Sequence, residues 1–230
     1  MARISVICIL SLTACGGQGH NLPPQLQTRA SKVNAPAFGD LPRTSAGTLY
    51  GTTQRGGNLE ACKKATFASV AGCGTVFAIT TTGTERILYA FKGGTDGRLP
   101  VGALIADASG TLYGTTASGG GSSACIHGCG TAYAVTDSGS ERVLHAFAGK
   151  GDGSEPVGRL LVDSRGVLYG ATRWGGQSHC RCGTIFMLTP SGSGYVKSTI
   201  YNFQGGSDGA APHGGLLADK NGTFYGTTIE

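Results

Sequence analysis

One heptapeptide, occurring four times, constrains this chain more than any other feature. GTLYGTT occupies residues 47–53 and returns as GTLYGTT at 110–116, GVLYGAT at 166–172 and GTFYGTT at 222–228. Its tyrosines, Tyr50, Tyr113, Tyr169 and Tyr225, stand 63, 56 and 56 residues apart. A period of that size marks an array of supersecondary units. Three other runs recur between the heptapeptides. The first reads CGTVFAIT from Cys73, CGTAYAVT from Cys129 and CGTIFMLT from Cys182. The next reads ERILYAF, ERVLHAF and STIYNF, ending at Phe91, Phe147 and Phe203. The last reads PVGALIAD from Pro100, PVGRLLVD from Pro156 and PHGGLLAD from Pro212. In chain order these are runs A, B, C and D.

Each run sets β-branched or aromatic residues at alternate positions between Gly, Asp or Ser clusters, which is a strand pattern. The chain carries 41 glycines and only two methionines, and an interior Gly costs a helix about 1 kcal/mol relative to Ala. In run C, Ile87, Tyr89 and Phe91 fall on one side and Leu88 and Ala90 on the other, so both faces of the sheet are expected to be covered. Four-stranded sheets stacked face to face are propeller blades. The expectation is therefore an all-β fold of tandem four-stranded repeats, β-propeller-like. The repeats span 47–109, 110–165 and 166–221, with a partial one at 222–230, about three blades plus one extra strand and thirteen strands in all. A ring normally takes at least four blades, so the array reads as incomplete. A fragment of a longer repeat protein is the favoured explanation, with a ring completed by a second copy and an open stacked array as the others. Loop lengths fit the alignment: 22 residues separate Gly51 from Cys73, 15 separate Gly114 from Cys129, and 12 separate Gly170 from Cys182. The longer first A–B loop accounts for the wider first period.

The N-terminus reads as an export signal, with Arg3 before an apolar run and small residues closing at Cys15. The run is too short to span a bilayer as a helix, which takes roughly 20 residues. Leu12-Thr13-Ala14-Cys15 resembles the bacterial lipobox, and that resemblance implies cleavage before Cys15 and acylation of its sulfur. Residues 1–14 are then the signal peptide, 15–46 a lipidated cysteine and flexible tether, and 47–230 the repeat domain. Gly16 in place of Asp favours the outer membrane or cell surface by resemblance to envelope sorting rules, with the lipid bilayer as partner. The formal net charge of +5 is spread along the chain, which argues against nucleic acid as a partner.

The motifs LYGTT, CGTVF, GGxDGxxP and LxxDxxG resemble the Gly-rich GloVer tandem repeats of bacterial surface proteins that use various anchors. The resemblance covers about residues 47–230. It implies an exported repeat protein and brings no catalytic residue with it.

Beyond Cys8 and Cys15, six cysteines remain, two in each repeat. An even count in an oxidising compartment reads as disulfides within the pairs Cys62 with Cys73, Cys125 with Cys129, and Cys180 with Cys182. Each would clamp an A–B loop at the start of run B. The small Cys180-Arg181-Cys182 ring is expected to be strained and more reducible. Zinc is the weaker alternative, because His127 lies between Cys125 and Cys129 and His179 precedes Cys180 and Cys182. Otherwise neither metal nor cofactor is expected. His145 takes the place of Tyr89 and Tyr201, and His213 the place of Val101 and Val157, so both read as packing residues. Asp96, Asp152 and Asp208, with Asp107, Asp163 and Asp219, repeat at turns where Asx capping explains them. Calcium would need more oxygens. Trp174, the only tryptophan, stands beside Arg173 in a loop whose first-repeat counterpart holds Arg55. These three are the ligand-contact candidates, although packing on a neighbouring blade is the plainer role for Trp174. No nucleotide-binding loop or catalytic triad stands in a convincing context. Catalytic sites break repeat symmetry, and here the symmetry breaks mainly in loop length. The expected function is therefore an envelope scaffold that binds a polymer or envelope protein without a catalytic site. The alternatives are a polysaccharide-acting propeller enzyme or a fragment without independent function.

Overall fold

The structure, a computed structural model, describes residues 47–60, 62 and 72–230. The signal peptide, Cys15 and the tether to residue 46 lie outside the described residues. The chain divides into two units, Met1–Ser31 and Lys32–Glu230, and every described residue belongs to the second.

Among the described residues the fold is all-β and propeller-like, with four antiparallel sheets. The first holds β1 (Leu49–Thr53), β2 (Thr75–Ile79) and β3 (Glu85–Ala90). The second holds β4 (Arg98–Pro100) and β5 (Ile105–Ala106), both paired with β6 (Leu112–Ser118), then β7 (Thr131–Val135) and β8 (Glu141–Ala146). The third runs β9 (Ser154–Val162), β10 (Leu168–Trp174), β11 (Thr184–Ser191), β12 (Gly194–Asn202). The fourth pairs β13 (Leu217–Ala218) with β14 (Phe224–Tyr225). The strand count is fourteen rather than thirteen because run D of the first repeat is split into β4 and β5. Sequence repeat and blade are also out of phase by one strand. Run D pairs with run A of the following repeat, so a complete sheet reads D–A–B–C.

Consecutive sheets bury one core between them. Tyr50, Val76, Leu88 and Phe91 of the first sheet meet Leu104, Leu112, Tyr133 and Val135 of the second. Ile105, Ala132 and Phe147 of the second meet Leu160, Leu168, Phe186 and Leu188 of the third. The contact repeats in detail. Phe91 stands edge-on to Tyr133 with centroids 5.0 Å apart, and Phe147 meets Phe186 in the same way at 5.0 Å. Edge-to-face geometry at this spacing is the favoured aromatic arrangement. The glycine of LYG makes room for those rings, since a Cβ on Gly114 would lie 2.5 Å from the Tyr133 hydroxyl and one on Gly170 2.6 Å from Phe186. The last threonine of LYGTT has a role too. Thr53, Thr116 and Thr172 each pair hydroxyl to hydroxyl across the sheet, with Thr75, Thr131 and Thr184, all at 2.8 Å and buried.

The expected single face for Ile87, Tyr89 and Phe91 is corrected by a bulge. Val76 pairs Tyr89 while Phe77 pairs Ile87, leaving Leu88 as the extra residue. The bulge breaks two-residue alternation, so Leu88 is 8% exposed and Ile87 54%. The same irregularity falls between Ala132 and Tyr133 and between Ile185 and Phe186.

The turn aspartates act as backbone caps, as expected from turn chemistry. Asp107, Asp163 and Asp219 each accept two backbone N–H groups of their own turn and the hydroxyl of Tyr113, Tyr169 or Tyr225. Asp96, Asp152 and Asp208 accept the backbone N–H of Lys92, Ala148 and Gln204, and each meets the run C side chain at Tyr89, His145 or Tyr201. His145 thus packs on Phe147, as its place in the run predicts, and also reaches Asp152 with Nε2 at 3.0 Å.

Between sheets the polar joints differ. Lys197 on β12, with its side chain only 7% exposed, places Nζ 3.0 Å from Asp152. Burial opposes ionisation of Asp152, but hydrogen bonds from His145, the Ala148 N–H and Lys197 outweigh it and hold the carboxyl well below its usual range. One sheet earlier the matching register position is Glu141, for it pairs Val135 as Lys197 pairs Leu188. There Glu141 faces Asp96 rather than a cation of its own. Burial first, and then the Asp96 charge, push its carboxyl up to about 7, against the pull of Lys92 and of the nearby Tyr89 hydroxyl. Its Oε1 is buried with no hydrogen-bond partner.

Candidate functional site

The β4/β5 segment, β9 and the segment leading into β13 form the inner edges of their sheets, and glycines let them converge. A Cβ on Gly102 would lie 2.3 Å from the Gly158 carbonyl oxygen, and one on Gly158 would lie 2.6 Å from Gly214 backbone. Gly158 also has φ +71°, a conformation that side chains disfavour. The third glycine of this set, Gly214, completes the P-x-G step of run D, which is why that step recurs. Just before it, Leu99, Glu155 and Ala211 share a left-handed backbone with φ 56°, 54° and 52°. Each donates its N–H to the carbonyl of a run B cysteine, Cys73, Cys129 or Cys182, at 2.8 to 2.9 Å. That bond latches each inner strand to the preceding sheet and holds the strained residue in place.

Beside these strands lies a cleft of about 810 Å³. Its floor is apolar, with Val101, Ala103, Val157, Leu161 and Leu216. Its polar walls are Glu155, Arg159, Arg173 and His213, with Gln54 at the rim. All four wall residues depart from their repeat. Glu155 stands where the other repeats have Leu99 and Ala211. Arg159 replaces Ala103 and Gly215, Arg173 replaces Gln54 and Ala117, and His213 replaces Val101 and Val157. The small residue Gly215 lets Arg159 in, since a Cβ there would come within 3.0 Å of the Arg159 backbone nitrogen. Arg173 sits 3.9 Å from Glu155, its guanidinium lies 5.2 Å from the Trp174 ring centroid, and its Nε is buried without a hydrogen-bond partner. The fork therefore keeps an N–H donor that no protein group uses. The site offers two permanent cations, one carboxylate and one imidazole around an apolar floor, a set able to hold an anion and move a proton.

Several expectations are placed or corrected by this geometry. Arg173 lines the cleft. Trp174 is 38% exposed and supports Arg173 from outside the cleft walls, and Arg55 is half-buried away from them. His213 is exposed in the cleft, not a packing residue as its register suggested. The cysteines pair as Cys62–Cys73, Cys125–Cys129 and Cys180–Cys182, with Cα atoms 5.6, 5.2 and 5.1 Å apart. These bonds occupy the thiols that a zinc site with His127 or His179 would need, and among the described residues no group of three or more His, Cys, Asp or Glu could hold a metal ion. Glycines of the C–D turns, Gly93, Gly149 and Gly205, pack on the disulfide sulfurs. Sequence reasoning missed Glu155 and Arg159. Their signal was present as the odd residues in an otherwise regular run D.

Comparison with known proteins supplies a family and some distant structures. The family described as the Gloeobacter/Verrucomicrobia repeat matches residues 63–230. No curated protein matches the chain. Among solved structures, the chain is similar to a candidate gluconolactonase at 12% identity and TM-score 0.48, covering 81% of this chain and 55% of that one. It is similar to a luciferin-regenerating enzyme at 13% identity and TM-score 0.45, covering 77% and 48%. A gluconolactonase from Xanthomonas campestris follows at 15% identity and TM-score 0.36, covering 85% and 69%. The chain spans about half the length of the first two. The repeat symmetry is broken by chemistry as well as by loop length, at Glu155, Arg159, Arg173 and His213. The expectation of a polymer-binding or partner-binding scaffold without a catalytic site is corrected on that ground.

Proposed function

For this chain, which belongs to the Gloeobacter/Verrucomicrobia repeat family, we propose an enzymatic role on polysaccharide, centred on the cleft between the inner strands. The observation that carries the reading is the concentration of four chemically distinct departures, Glu155, Arg159, Arg173 and His213, in one cleft. Random drift would scatter such changes over the repeats, whereas a site gathers them. The apolar floor suits the C–H faces of sugar rings, and the polar walls suit their hydroxyl and charged groups. Glu155 and His213 are the groups that can take or give a proton, and the arginines can hold negative charge.

The test is release of new reducing ends from a panel of neutral and acidic polysaccharides by the purified protein. His213→Val and Glu155→Leu each restore a residue that another repeat carries at that position, so the fold should persist. The reading predicts turnover on at least one polymer, its loss in His213→Val and a lowered rate in Glu155→Leu, at unchanged melting temperature. Absence of turnover across the panel, or full activity in both variants, would refute it. Lipidation at Cys15 would keep such an enzyme at the cell envelope. Incorporation of labelled palmitate that disappears in Cys15→Ala tests that part separately.

A further inference from the structure

We infer that the cleft cleaves uronate-containing polysaccharide by β-elimination rather than by hydrolysis, an inference that rests on the carbohydrate reading above. Hydrolysis of a glycosidic bond generally uses two carboxyl groups, one as acid and one as base or nucleophile. Among the described residues, the cleft wall offers a single carboxylate, Glu155, and that one is drawn toward Arg173 at 3.9 Å. What the wall has in excess is fixed positive charge. Arg159 and Arg173 stand where the other repeats hold Ala, Gly or Gln, and the buried Nε of Arg173 is left without a partner.

Two arginines and one imidazole can together serve elimination from a uronate. The arginines bind the C5 carboxylate and stabilise the charge that builds on it once the C5 proton is removed. The His213 imidazole, exposed in the same cleft on the neighbouring inner segment, takes that proton. The electron pair of the C5–H bond forms the C4=C5 double bond, and the C4–O bond to the preceding sugar breaks. The departing oxygen receives the proton back from the imidazolium. Atoms balance without water, metal or oxidant: one glycosidic bond yields one new reducing end and one unsaturated uronate. Arg159 and Arg173 are catalytic residues in this scheme, touching the substrate carboxylate. Glu155 is a positioning residue that orients the Arg173 fork.

The experiment incubates the protein with polygalacturonate, alginate and a neutral galactan. Reducing ends and the ultraviolet absorbance of the C4=C5 product are followed together. Expected are matched rises of both signals on an acidic polymer and neither on galactan. Arg159→Ala, which restores the residue at position 103, should lower the rate at least tenfold, because a charge-assisted hydrogen bond is lost from the developing charge. Glu155→Leu should lower the rate through a raised KM more than Arg159→Ala does. Reducing ends without unsaturated product would overturn elimination while leaving the carbohydrate reading in place. Absence of both signals on all three polymers would overturn both.

Discussion

Replacing Glu141 by Gln should stabilise the protein at neutral and alkaline pH and leave it unchanged in acid. Glu141 faces Asp96, with Tyr89 and Lys92 beside it, across the joint between the first and second sheets, and its carboxyl is pushed up to about 7 from an ordinary 4.5, by burial first and by Asp96 next. A raised carboxyl means that the folded state keeps a proton the unfolded chain has released. The stabilising contribution is therefore complete below pH 4.5 and is lost as pH rises through about 7. Full conversion of that difference would amount to about 3 kcal/mol. Glu141 is only half-buried, and solvent screening lowers the expected effect to about 1–2 kcal/mol. Gln has no charge to repel Asp96, so Glu141→Gln should be about 1–2 kcal/mol more stable than the parent at pH 8 and equal to it at pH 4. Urea unfolding at several pH values is the assay, since an ionic denaturant would screen the effect. Histidine titrations are common to both proteins and cancel in the difference. A difference that does not change between pH 4 and pH 8 would refute the assignment.

Other substitutions test the packing scheme. Lys197→Met removes the buried cation from Asp152 and should cost about 2–3 kcal/mol, less than a fully buried pair because His145 and the Ala148 N–H still hold the carboxylate; thermal unfolding would show it. Tyr133→Phe removes a buried hydroxyl that has no partner and restores the residue type at positions 77 and 186, so the melting temperature should hold or rise, by up to about 1 kcal/mol of stability. Gly102→Ala would set a methyl 2.3 Å from the Gly158 carbonyl and should cost about 1–3 kcal/mol, seen as a lower denaturation midpoint. Alkylation of the denatured but unreduced protein should leave Cys62, Cys73, Cys125, Cys129, Cys180 and Cys182 unlabelled, and peptide mass mapping would detect any exception.

Much of the fold can be read from the repeat alone, because LYGTT and CGT are each needed locally. The glycine admits the aromatic ring of the paired strand, and the two threonines satisfy one another across it. The phase of the blades is less legible. Run D follows run C closely in sequence, yet it pairs with the next run A, and only the P-x-G contacts between inner strands reveal where it belongs. Bulges at Leu88, Leu144 and Ile200 are equally hidden, since alternation predicts the same faces with or without them. For the candidate site, Arg173 could be singled out as unusual for its place. Glu155, Arg159 and His213 could not, because a lone substitution in a repeat gains meaning only when the fold brings several to one cleft. His213 is the instructive case: register placed it among valines, and valines at those positions line the same cleft.

Ligand is expected to meet the protein in the inner-strand cleft, and hydrogen exchange read by mass spectrometry would register it there. With a uronate oligosaccharide bound, exchange should slow in residues 154–161, 172–174 and 213–217, with little change elsewhere. Protection confined to the A–B loops around residues 119–128, with the inner strands unaffected, would contradict it.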